Sequence, residues 1–131
     1  MQTYTFRLKP GDLLKESLIL FAKEKKITAG VILTCVGSLT HAHLRFSETD
    51  EIFSLKGPFE IISLVGTFSK EKAHVHMSIS DGQGILLGGH LWDGCRVYTT
   101  AEIVVMAFPN LVYSRQFCEQ SGLMELVVED K

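Results

Sequence analysis

The sequence is poor in cysteine: three in 131 residues, Cys35, Cys95 and Cys118. An odd number with no CxxC pair argues against a secreted disulfide framework. It fits a reducing, cytoplasmic setting. Long hydrophobic runs are also missing. The longest, Ile103 to Phe108, has the length of a strand, whereas a bilayer span needs about 20 apolar residues. The opening segment, Met1 to Lys9, alternates and carries charge, unlike a signal peptide. No repeat, linker or low-complexity stretch divides the chain. An excess of one charge is lacking too. Thirteen Lys and Arg against fifteen Asp and Glu leave a net charge of -2, which excludes a large basic face for non-specific nucleic-acid binding. A small basic patch remains compatible with that balance.

Apolar residues, by contrast, are plentiful at 46%, against 21% charged. One domain spanning residues 1–131 can bury a core without help from a disulfide or a metal, and disorder is excluded. The raised mean hydropathy, +0.18, suggests apolar surface buried against another subunit.

Residues 1–9 alternate as a strand, and Pro10-Gly11 turns the chain. Asp12 is the expected N-cap of a helix over residues 13–26, with Leu14, Leu18, Phe21 and Ala22 on one stripe. Strands are expected at 31–39, 43–46, 52–55, 59–68, 73–80, 85–91 and 97–108, then a short helix near 114–120 and a last strand at 123–128. One main helix among many strands at hairpin spacing predicts an α+β fold with a mostly antiparallel sheet. The missing βαβ alternation disfavours a doubly wound nucleotide-binding fold.

The segment from Ala73 to Leu91, AHVHMSISDGQGILLGGHL, carries the chemistry. Alternation puts His74, His76, Ser78 and Ser80 on one face and Val75, Met77 and Ile79 on the other. Histidines at i and i+2 can converge on one ion, each neutral ring offering a nitrogen lone pair. The hairpin register decides whether His90 joins them. A two-residue loop would put Ile85, Leu87 and Leu91 on the histidine face. A three-residue loop, Gly82 to Gly84, returns them to the apolar face and sets His90 opposite His76. Gly88 and Gly89 leave room beside it. An HxH pair alone also suits two polar residues on a solvated face; the convergent third histidine favours a divalent metal, zinc first. A second pair, His41 and His43, has no evident third partner.

These blocks resemble the PPC domain family, the "plants and prokaryotes conserved" domain, in its stand-alone prokaryotic form. The carrying residues are TCVGSLTHAHLR (34–45), GPFEIISLVGT (57–67), HVHMS (74–78), Gly84, GGHL (88–91), Gly94, Val97 and TTAEI (99–103). The resemblance implies an α+β homotrimer and a metal-binding role for His74, His76 and His90. It also implies a DNA-binding or regulatory function. The plant relatives carry AT-hook segments ahead of the domain, and no Arg-Gly-Arg-Pro core occurs in this sequence.

Two further residues are candidates. Glu102, an acid within an apolar strand, suits a general base or a carboxylate orienting a metal-bound histidine, or else a salt bridge. Arg45 suits contact with DNA phosphate or a carboxylate, or else an ion pair. Lys23, Lys25 and Lys26 need no nucleic acid, since a helix C-terminus favours positive charge. The glycines from 82 to 94 open no helix, so they fail the context of a dinucleotide loop. The function expected is therefore a trimeric DNA-binding or regulatory protein with a three-histidine metal site. The alternatives are a metal-dependent enzyme or small-ligand binder, and an interaction module.

Overall fold

The computed structural model describes all 131 residues, Met1–Lys131. Strand β1 (Gln2–Leu8) leads into helix α1 (Leu14–Glu24). Then come β2 (Gly30–Arg45), β3 (Ile52–Phe68), β4 (Ala73–Ser80), β5 (Leu86–Leu91), β6 (Arg96–Ala107), β7 (Leu111–Cys118) and β8 (Leu123–Asp130). Six strands form one sheet in the order β1-β6-β2-β3-β4-β5, antiparallel throughout. The end of β2 also pairs with β5, Leu44 with Leu91 and Arg45 with His90. That extra pairing curls β2 to β5 into a closed ring of strands, with Leu44, Met77, Ile79 and Leu91 inside. No helix is long and apolar enough to cross a membrane.

Helix α1 buries the predicted stripe. Leu14, Leu18 and Ala22 are buried, and Phe21 stacks on Phe6 at 4.1 Å between ring centroids. Its start differs from the expectation. Leu13 occupies the N-cap without a side-chain hydrogen bond. Asp12 instead closes the preceding turn, its Oδ2 accepting from the Lys9 amide at 2.8 Å. The first helical amide, Leu14 N–H, donates to the Cys95 carbonyl at 2.8 Å, so a tertiary contact replaces the cap. At the other end Lys26 is left-handed (φ 56°), and Ile27 N–H donates back to the Ala22 carbonyl at 2.8 Å. That is a Schellman ending, with buried Ile27 as its apolar contact.

Three other expectations are corrected. The strands expected at 31–39 and 43–46 are one strand, and so are those at 52–55 and 59–68. β2 and β3 are mutual partners from Gly30–Phe68 to Arg45–Ile52, and a register shift between Leu39 and His41 absorbs the irregularity. Glycine punctuation here reflects close backbone approach: a Cβ at Gly37 would overlap the Thr100 carbonyl. The helix expected near 114–120 is absent. Residues 111–118 pair one-to-one with 123–130 as a separate two-stranded ribbon, because cross-strand pairing outweighs local helix preference. Ile85, expected on the apolar face, is 58% exposed, since it sits in the turn before β5 begins at Leu86.

Candidate metal centre

The β4–β5 hairpin builds the site. Along β4, Val75, Met77 and Ile79 point into the core at 4%, 1% and 0% exposure, which forces His74 and His76 outward. The turn is the three-residue loop that apolar matching requires. Gly84 is left-handed (φ 81°), and the Asp81 Oδ1 accepts from the amides of Gln83 and Ile85, both at 2.9 Å. This fixes the register that places His90 directly across from His76.

The three imidazoles meet there. Ring centroids lie 5.2 Å apart for His74 and His76, 5.6 Å for His74 and His90, and 4.5 Å for His76 and His90. One ring nitrogen from each falls within 4.8 Å of the other two. No ring of the three hydrogen-bonds to a protein group, so its lone pairs are uncommitted; His41 and His43 are the histidines whose rings do. Beside the rings lies a cleft of about 320 Å³, walled by Phe46, Ser47, His76, Gly88, Gly89 and His90. Gly89 belongs there because a Cβ would sit 2.8 Å from the Arg45 carbonyl.

The surroundings favour neutral rings. Partial burial lowers the pKa of His74, and the Arg115 charge lowers it further. Burial followed by Arg45 does the same for His90. A neutral ring is the form that ligates a metal. Three imidazole nitrogens at one point, with an open side, make a three-histidine donor set. The residues therefore fit a divalent ion.

The other candidates lie elsewhere or change meaning. Glu102 is exposed on β6 opposite Val36 of β2, nine residues along that strand from Arg45. It is separated from His76 on β4 by the two intervening strands β2 and β3, and it hydrogen-bonds to none of the three histidines. Arg45 is the cross-strand neighbour of His90, half-buried, its Nη1 donating to the carbonyls of Phe46 (3.3 Å) and Thr49 (3.2 Å). It stands beside the histidine site. His43 is engaged by Ser54 Oγ at 3.0 Å, and exposed His41 by Thr40 Oγ1 at 3.0 Å, so that pair stays outside. Sequence reasoning missed Arg115. The alternation in LVYSRQFC was the available signal, but a helical reading of that stretch hid it.

Residues 1–109 match the model of the Plants and Prokaryotes Conserved (PCC) domain. The chain belongs to this family. Among solved PCC-like structures, a hypothetical protein from Salmonella cholerae-suis superposes with a TM-score of 0.97 at 40% identity, covering 99% of this chain and 94% of that one. A metal-containing protein from Archaeoglobus fulgidus gives 0.84 at 27% identity, over 97% of this chain and 94% of its own. A protein from Bacteroides thetaiotaomicron, proposed to bind DNA, gives 0.84 at 25%, over 95% and 91%. A curated relative, the bifunctional protein GlmU of Synechococcus sp. (strain JA-3-3Ab), is 40% identical over 129 residues. That match takes in 98% of this PCC chain but 21% of GlmU, so the chain spans about a fifth of that relative.

Proposed function

We propose that the protein is a metal-dependent small-ligand binder or enzyme whose divalent ion, zinc by its donor set, is held by His74, His76 and His90. One observation carries this: three uncommitted imidazole nitrogens from two adjacent strands converge within 4.8 Å, beside an open cleft. The Archaeoglobus relative, described as metal-containing, supports it. A bound ion would polarise an oxygen of water or ligand in the open position. The chain's own contribution is to hold the three rings in register, keep two of them neutral, and set the Arg45 charge beside His90. The core is complete without the ion, so its role is functional and not structural. Metal analysis of untagged protein tests the reading. About one equivalent in wild type and a trace in His90→Ala supports it; equal trace amounts in both overturn it.

The protein in this reading is a cytoplasmic homotrimer. Its three cysteines are free, and large apolar side chains stand exposed, including Val36 (59%), Val65 (56%) and Phe117 (64%). Light scattering that returns a monomer at working concentration contradicts the trimer. A DNA-binding function is the second reading, favoured by the Bacteroides relative. The net charge of -2 opposes it. A mobility shift that falls steeply with salt supports that reading, and no shift at ~50 mM salt rejects it.

A further inference from the structure

The histidine cluster is flanked by two arginines, and neither is neutralised. The one ion pair in the structure joins Lys15 on α1 to Asp93 in the turn after β5, and it involves neither arginine. Arg115, half-buried on β7, hydrogen-bonds to nothing, and Arg45 uses Nη1 alone. Arg45 is the cross-strand neighbour of His90, and Arg115 shares a cleft wall with Thr67, the cross-strand partner of His74. The nearby counter-charge is Glu125, whose backbone is paired with Gln116, and it approaches neither arginine within ion-pair distance. With a divalent ion in place, these groups sum to three positive charges. Half-buried, unpaired guanidinium groups are costly unless an anion meets them.

The shape beside Arg115 says which anion. A cleft of about 310 Å³ opens between the ribbon and the end of β3. Thr67, the cross-strand partner of His74, lies at its inner edge, and Arg115 forms part of its wall. The rest of that wall includes Phe68, Tyr113, Met124 and Leu126. The Ser114 hydroxyl, buried without a hydrogen-bond partner, lines it as well. Glu71 and Lys72, of opposite sign, stand at its β3–β4 end. The volume suits a small molecule, with Phe68, Met124 and Leu126 offering contact to an apolar body and Arg115 a partner for one charged end.

We propose that the site takes a small organic carboxylate, its charged end set between the three histidines and Arg115 and its apolar body in the cleft under the ribbon. This rests on the metal reading, and it makes Arg115 a specificity-determining residue. The β7–β8 ribbon, which lies beyond the family-matched segment, then selects the ligand.

The test uses the full chain loaded with Co²⁺, whose visible absorption reports coordination. Acetate, hexanoate and hexanol are titrated in turn. Each fully buried methylene tightens binding by up to about fourfold, so hexanoate is expected to perturb the spectrum at a concentration at least about tenfold lower than acetate. Hexanol, without the charge, is expected to have no effect in that range. Arg115→Gln is expected to weaken hexanoate about tenfold or more, and Arg115→Lys to restore most of it. Circular dichroism checks that both variants are folded. Hexanoate binding no tighter than acetate, or unaffected by Arg115→Gln, overturns the proposal while leaving the metal reading standing. Absence of any Co²⁺ spectrum overturns both.

Discussion

Acid is the sharpest perturbation of this site, because a protonated imidazole cannot ligate. A histidine of ordinary pKa, about 6.5, is about ten-elevenths protonated at pH 5.5 and costs about elevenfold in apparent metal affinity. Three such ligands together would cost about 1,300-fold between pH 8 and pH 5.5. Burial and the arginines hold His74 and His90 below the ordinary value, so these two rings stay neutral further into acid. The loss predicted here is therefore smaller than that over the same interval. The sign is the same without metal. Depressed folded-state pKa values mean that the unfolded chain binds more protons, so this contribution to stability is present above pH 6.5 and is lost as the pH falls through the folded values. Zinc competition with a chromophoric chelator at pH 8.0, 6.5 and 5.5 reads the slope directly. A loss of the full 1,300-fold or more, or none at all, refutes the electrostatic account of the site.

Four further outcomes follow from packing and chemistry. A Cβ at Gly66 would overlap the His74 carbonyl and lie 2.8 Å from Val75 Cα. Gly66→Ala is therefore expected to cost about 1–3 kcal/mol in urea melts and to weaken metal binding. Gly82→Ala, with nothing within 4 Å, is expected to change stability by under about 0.5 kcal/mol. Leu18, 1% exposed on the buried face of α1, is expected to cost about 2–5 kcal/mol when cut to Ala, with the same melts as readout. Burial pushes the Cys35 thiol up to about 12 and the Cys95 thiol up to about 11, whereas hydrogen bonds from Ser121 lower that of Cys118. Thiol titration at pH 8 is expected to find one fast group in the native protein and three after denaturation.

The β4–β5 hairpin was legible from apolar matching alone. Val75, Met77 and Ile79 need partners on one face, and a single register supplies Leu87 and Leu91 while setting His90 against His76. The main helix was legible for the same reason, its stripe being spaced for one buried side. What escaped depends on contacts distant in sequence. The start of α1 is set by the Cys95 carbonyl and not by its neighbour Asp12. The unbroken length of β2 and β3 is decided by their pairing, which overrides local glycine and proline. The β7–β8 ribbon shows little burial on either strand, so LVYSRQFC and LMELVVED carry a weak alternation signal. Arg115 stayed hidden with it. Arg45 was visible as a residue, but its role is fixed only by the closing pair with His90.

The most direct test of the account is a crystal structure of zinc-loaded protein with anomalous data collected at the zinc edge. The account predicts one peak, with a nitrogen from each of His74, His76 and His90 about 2.0–2.1 Å away and an open position facing the cleft. Three separated rings with no peak between them, or a peak held by other residues, would contradict it.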